Sequence, residues 1–185
     1  MGSSENTQLK LLAIVLPEPV FSFVIEQQTF IANTWGPRRA LRTPPHLTLV
    51  PPLMLSPPEE HVLSEICEKA ALEIPKFNLT FCSFDHFPEK VVFLKPKPSE
   101  ELQNLYKTLN DEAQREIPHA MKRYSERQFY PHVTLAHRDV TPDKFQNIKS
   151  YYDQVSIHVV TLIDKFHILS HTSQGWKIGQ TFPLR

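Results

Sequence analysis

Glycine is scarce in this chain: four residues in 185, set against seventeen prolines. Such a backbone has many fixed turns and few places to wrap closely around a phosphate. Neither a P-loop nor a GxGxxG run occurs, which removes the main support for ATP-type and dinucleotide-binding readings. Cysteine is nearly absent. Cys67 and Cys82 are the only two, too few for a disulfide framework, and both read as packing residues. Twenty basic residues balance twenty acidic ones, so a long nucleic acid is not held through a bulk positive field. A short charged ligand in a local cleft remains compatible with that balance. No apolar run approaches the ~20 residues of a membrane span, so no membrane partner is expected. The start, MGSSENTQ, lacks the charged-then-apolar layout of a signal peptide, and the expected home is the reducing cytoplasm.

What is present is globular. The chain is 41% hydrophobic and 22% charged, and its length fits one domain. The polar residues 1–8 read as a flexible N-terminus and 9–185 as a single domain. Leu11–Leu16 is a short apolar run closed by prolines and reads as a buried strand. Val20 to Trp35 has a helical rhythm ended by Gly36-Pro37. His46–Val50 reads as a strand bounded by proline pairs on both sides. Ser56-Pro57-Pro58-Glu59 is a capping box with proline at the first helical position, opening a helix to about Ile74. Phe77–Phe87 and Val91–Leu94 suggest a hairpin. Ser99 caps a helix to about Ile117, and a polar, basic stretch over 118–130 leads into a strand at His132–Ala136. Thr141-Pro142 opens a helix to about Val155, and strands at Ile157–Leu169 and Trp176–Phe182 finish the chain.

The order of these elements repeats. Pro45-His46-Leu47-Thr48-Leu49 is followed by Ser56-Pro57, a helix and two strands; Pro131-His132-Val133-Thr134-Leu135 is followed by Thr141-Pro142, a helix and two strands. The expectation is an α+β, bilobal, pseudo-twofold fold, with two antiparallel sheets lining a central cleft and helices outside. One large mixed sheet is the less favoured arrangement.

Side chains alternate along a strand, so His46 and Thr48 project together while Leu47 and Leu49 pack on the other side. His132 and Thr134 do the same above Val133 and Leu135. Each motif thus offers an acid–base group and a hydroxyl on one face. If the two halves face each other, two imidazoles and two hydroxyls converge. His132 and His137, five apart, should point to opposite faces. His167 and His171 could share a face but have only Asp164 nearby, too few ligands for a metal site.

The doubled His-x-Thr-x pattern resembles the two-histidine (2H) phosphoesterase superfamily, in its 2′-5′ RNA ligase-like and cyclic-phosphodiesterase branch, over essentially the whole chain from Leu11 onward. The resemblance implies a central groove, a 2′,3′-cyclic phosphate or 2′–5′ phosphodiester as the reacting group, and neither metal nor other cofactor. It implies His46, Thr48, His132 and Thr134 as the catalytic residues. One neutral imidazole would take a proton from water and one imidazolium would protonate the departing ribose oxygen, with the threonines donating to non-bridging oxygens. The resemblance leans to His132 as base and His46 as acid, which pseudo-symmetry alone leaves open. Partners would be RNA ends or nucleotide cyclic phosphates, met by a monomer. Ligation and hydrolysis would share one site. A non-catalytic RNA-end-binding module on the same scaffold and a metal-dependent phosphoesterase are the alternatives.

Local positive charge precedes both motifs. Arg42 and Arg127 lie nearest the strands and, with Arg138, are candidate substrate-binding residues. Relatives often carry an arginine just after the second motif; here Arg138 arrives after an extra His137. Tyr130 is the favoured aromatic for a nucleobase, with Phe129, Trp35 and Phe84 as further candidates.

Overall fold

The computed structural model describes residues 7–124 and 128–185. Five helices and eight strands follow the order β1 (Gln8–Val15), α1 (Val20–Trp35), β2 (His46–Leu55), α2 (Pro57–Glu73), β3 (Phe77–Phe87), β4 (Val91–Pro96), α3 (Glu100–Glu116), the short α4 (Pro118–Met121), β5 (Val133–His137), α5 (Pro142–Tyr152), β6 (Val159–Ile163), β7 (Lys165–Thr172) and β8 (Gly175–Pro183). The expected α+β plan holds. Gln8 already belongs to β1, so the strand reaches into the segment read as a flexible N-terminus; residues 1–6 lie outside the described residues. Among the described residues no helix is long and apolar enough to cross a membrane.

The eight strands form one antiparallel sheet in the order β6-β3-β4-β5-β2-β1-β7-β8. The two sheets expected from the repeat are therefore two four-stranded halves of one. They meet at β2 and β5, which share the single register pair Leu47↔Val133. A pseudo-twofold axis through this seam relates β2 to β5, β1 to β4, α1 to α3 and α2 to α5. Helix packing crosses the seam. α1, which follows β1, lies against β5, and α3, which follows β4, lies against β2. α5 covers β4, and α2 covers β2 and β8. One sheet face is thus roofed by helices over a core that includes Leu47, Leu49, Val133 and Leu135; the other face carries the motif side chains.

Local signals placed the helices well. Ser56 and Glu59 form the reciprocal capping box at α2, and the Ser99 hydroxyl accepts from Leu102 N–H at α3. Two strands differ from expectation. β2 does not stop at Pro51-Pro52 but continues to Leu55, because the prolines fall in a register break: Lys10 pairs with Leu53 and Leu12 with Val50, so both stand opposite Leu11. A bulge tolerates residues that lack an N–H. The run Ile157–Leu169 is two strands parted at Asp164, β6 in one half and β7 in the other.

On β7, His167 is 4% exposed, and its Nδ1 lies 3.0 Å from Thr181 Oγ1 across the β7–β8 ladder. Burial pushes its imidazole below the ordinary histidine range, with Lys165 acting the same way and Asp164 opposing. Folding therefore favours the neutral ring, and the unfolded chain binds the proton more readily. We expect stability to be full above about pH 6.5 and to fall as acidification continues toward the depressed native titration. Chemical denaturation between pH 7 and 5 should show this slope, and His167→Gln should reduce it. An unchanged slope in the variant would exclude His167 as a contributor.

Candidate functional site

The seam register brings the two motifs together. With Leu47 opposite Val133, antiparallel pairing puts His46 across from Thr134 and Thr48 across from His132. Same-face partners of this kind have Cβ atoms about 5 Å apart, and diagonal neighbours, here the two histidines, about 7–8 Å apart. That gap accommodates one phosphoryl group. Each of the four residues is partly buried, and each lines one or both of two hollows that meet at Thr48.

Proline sets the histidine tautomers. His46 Nδ1 lies 2.8 Å from the Pro44 carbonyl, and His132 Nδ1 lies 2.7 Å from the Tyr130 carbonyl. A carbonyl can only accept, so Nδ1 carries the hydrogen in both rings, and Nε2 is the basic nitrogen of each. In both motifs the accepting carbonyl belongs to the residue before the proline. Such a residue is held extended, and the following proline has no N–H to seek a partner of its own. Burial pushes His46 below the ordinary histidine range. The Pro44 carbonyl opposes this, while nearby charge on His132 and His137 adds to it.

Two helical amides hold the motif strands from behind. Gln28, on α1 and 3% exposed, donates from Nε2 to the Thr134 carbonyl at 2.9 Å. Asn110, on α3, donates from Nδ2 to the Leu49 carbonyl at 3.0 Å. Both carbonyls lie where the ladder is broken. Thr48 pairs with Ala13 but Val50 with Leu12, leaving Leu49 as an extra residue; Thr134 pairs with Phe93 but Ala136 with Val92, leaving Leu135 as another. Matched bulges thus follow both threonines. Backbone groups displaced from the ladder need other partners, and the two amides supply them. The sequence gives no local sign of either role, since both amides act across the seam.

The second bulge overturns the parity expected of His137. Leu135 and Ala136 both turn to the core, so His137 returns to the cleft face and lines the His46-side hollow with Gln28, Thr43 and Trp176. That hollow has a volume of about 150 Å³. Gly175, with φ +110°, lets the β7–β8 turn press against the loop before His46. A Cβ there would sit 2.8 Å from the Arg42 carbonyl.

The His132-side hollow, about 210 Å³, is aromatic: Phe87, Tyr106, Tyr124, Phe129 and Tyr130 line it with Pro51. Tyr106 and Phe129 stack at 3.8 Å, and Phe87 and the buried Phe93 lie 5.2 and 5.0 Å from the His132 ring. Tyr130 is 39% exposed and donates to Asp85 at 2.6 Å, with Lys95 Nζ 2.8 Å from its hydroxyl and 3.1 Å from Asp85. Burial alone would raise the Asp85 carboxyl, but hydrogen bonds from Tyr130, the His86 N–H and Lys95 bring it down to about 2. The ring is therefore locked in place at the cleft wall.

Of the aromatic candidates, Tyr130 and Phe129 reach the site. Trp35 instead joins Phe30 and Tyr151, and Phe84 packs on Tyr152. Arg42 and Arg138 are exposed and line neither hollow. Arg127 lies outside the described residues. Among the described residues, no three His, Cys, Asp or Glu side chains gather as a metal-ligand set.

Comparison with known proteins gives a consistent result. The family model described as the 2'-5' RNA ligase superfamily matches residues 16–175. An RNA 2',3'-cyclic phosphodiesterase of Thermotoga maritima is 30% identical over 134 residues, covering 69% of this chain and 66% of that protein. Among solved structures, TT0787 of Thermus thermophilus superposes with a TM-score of 0.70 at 22% identity, over 96% of this chain and 98% of that one. Escherichia coli LigT complexed with 3'-AMP has a TM-score of 0.70 at 20% identity, with the same coverage.

Replacing Gln28 by leucine leaves the Thr134 carbonyl without its donor. We expect a stability loss of about 1–3 kcal/mol, the cost of an unmade buried hydrogen bond. Urea denaturation measures it, and an unshifted midpoint would show that the amide does not hold this strand.

Proposed function

The chain belongs to the 2'-5' RNA ligase superfamily of 2H phosphoesterases, and on that premise we propose that it opens 2′,3′-cyclic phosphates by paired-histidine acid–base catalysis, with 2′–5′ ligation as the same opening by a ribose 5′-hydroxyl in place of water. The observation that carries this reading is the diagonal pair of imidazoles on one sheet face, both with Nδ1 engaged by a carbonyl two residues back. Binding alone needs no matched proton-transfer atoms. The phosphoesterase family and the Thermotoga maritima relative, an RNA 2',3'-cyclic phosphodiesterase, support the same chemistry.

The cyclic phosphate sits between the rings. One neutral Nε2 takes a proton from the attacking water as its oxygen bonds to phosphorus. The other ring, protonated, gives its proton to the ribose oxygen as the P–O bond breaks, leaving a monoester and a free hydroxyl. Thr48 and Thr134 donate to the non-bridging oxygens, where charge grows. Each imidazolium repels the other, so the pair holds one proton over a range of pH and presents one base and one acid. The resemblance leans to His132 as base. Burial of His46 in the free protein runs against that lean, and the anionic phosphoryl group between the rings offsets it by drawing a proton back to His46. The aromatic wall of Phe129 and Tyr130 receives the nucleobase by stacking. Arg42 and Arg138 contribute positive potential at the rim. None of these steps draws on a metal.

Single His46→Ala and His132→Ala variants should each lose about 10²–10⁴-fold of cyclic-phosphate opening, with thermal melts close to the parent. Retained turnover in either variant would sink the paired role, and binding without turnover by the parent would favour an RNA-end-binding module. The parent's activity should survive a chelator. Its kcat/KM should be bell-shaped in pH, with the acid limb below the ordinary histidine range because burial and mutual repulsion lower the pair's first titration. A monotonic profile would remove the second proton-transfer group.

A further inference from the structure

The two hollows are built on equivalent positions but with different chemistry. The bulge after Thr48 turns Pro51 into the His132-side hollow, and the matching bulge after Thr134 turns His137 into the His46-side hollow. One side is apolar and aromatic. The other presents a third imidazole whose ring nitrogens have no hydrogen-bond partner among the described residues.

His137 is also held firmly. Its carbonyl accepts from the Asp139 N–H at 2.7 Å, closing a tight turn over Arg138, which sits at φ +61°. Such a conformation is strained for a residue with a side chain and persists only where its surroundings enforce it. Asp139 does so by accepting the backbone N–H groups of Arg38 and Arg39 at 2.7 and 3.0 Å. That ties the turn to the loop leading into His46.

We propose that His137 forms a second phosphate subsite, which recognises the 5′-phosphoryl group of the nucleotide whose 2′,3′-cyclic phosphate is opened. This rests on the phosphodiesterase reading above. In a ribose, the base on C1′ and the 5′ carbon on C4′ project from opposite ends of the ring, both away from the C2′–C3′ edge. With the cyclic phosphate between His46 and His132 and the base against the aromatic wall, the 5′ group is directed to the His46 side. In an RNA end this group is the last internucleotide phosphate, so the subsite distinguishes an RNA end from a free nucleoside cyclic phosphate.

The groups facing His137 are His46 on β2, Arg39 from the loop, and Arg138 and Asp139 from its own turn; Gln28 of α1 is uncharged. Burial holds the His137 ring below the ordinary histidine range, Arg138 and Arg39 lower it further, and Asp139 opposes them. A phosphate brought into the hollow supplies negative charge and draws a proton onto the ring. Preference for the phosphorylated substrate is therefore greatest in acid and declines as pH rises.

The test compares adenosine 2′,3′-cyclic phosphate with its 5′-phosphorylated form. Taking the ratio of their kcat/KM values cancels the titration of the catalytic pair. The parent should favour the phosphorylated substrate by about tenfold at pH 5.5, the scale of one charge-assisted hydrogen bond, and by less at pH 8. His137→Gln should bring the ratio toward one at both pH values, and His137→Arg should keep it high at both. A ratio near one in the parent at pH 5.5, or one unchanged in His137→Gln, overturns the subsite. If neither substrate is opened, the phosphodiesterase reading fails separately. The subsite is then decided by binding: tighter binding of adenosine 3′,5′-bisphosphate than of adenosine 3′-phosphate, lost in His137→Gln, supports it, and equal affinity overturns it.

Discussion

The pairing of Leu47 with Val133 is the constraint on which the rest of this structure depends. A strand's side chains alternate with a period of two, so a register shift by one residue would turn one motif's histidine and threonine into the helical core and its leucines into the cleft. Burial of Leu47, Leu49, Val133 and Leu135 under the helices penalises that slip heavily. The hydrophobic effect fixes the register, and the register fixes the chemistry. Because the seam has a single ladder pair, the halves also need support from elsewhere. α1 and α3 supply it by crossing to the opposite half, each with a side-chain amide on the motif strand it covers.

The prolines before the two histidines do a second job. A histidine that must exchange protons needs one nitrogen committed and the other available. Here the commitment is made by the backbone two residues earlier, not by a carboxylate. A carboxylate in that position would favour the charged ring, whereas a carbonyl orients the ring with a much smaller electrostatic bias. His46 therefore remains open to depression by burial, and the protonation of the pair can respond to the anion it binds.

Much of this was readable before the fold was known. Caps and breakers located the four long helices to within three residues, though not the short α4, and the repeat of Pro-His-x-Thr-Leu indicated the pseudo-symmetry and the four central side chains. What was hidden was non-local. The amides of Gln28 and Asn110 look like ordinary helical residues until the helices are seen crossing the seam. The joining of two four-stranded halves into one sheet depends on β2 and β5 meeting, which no local pattern encodes. His137 was misplaced because parity counting assumes an unbroken ladder, and a one-residue bulge reverses it. The signal was present in the pair Leu135-Ala136, two adjacent apolar residues in a strand otherwise alternating. The same pair occurs as Leu49-Val50 in the first motif, and there too the strand steps out of register.

Pseudo-symmetry explains the origin of the site but not its directionality. A symmetric cleft would bind a nucleotide equally well in two opposite orientations, which exchange the roles of the two rings. The sheet leaves the two His/Thr pairs equivalent, so the distinction must come from what surrounds them. It is drawn by substitution at matched positions, proline against histidine after the bulges, and by the unequal walls beyond. Tyr130, pinned by Asp85 and Lys95, stands on one side; on the other is a turn strained at Arg138 and anchored by Asp139. In both cases the polar anchor fixes a cleft-lining group in place rather than contributing to proton transfer. The His/Thr pairs keep the symmetry of the repeat, while the residues around them break it; on the proposed reading, that difference selects one orientation of the substrate.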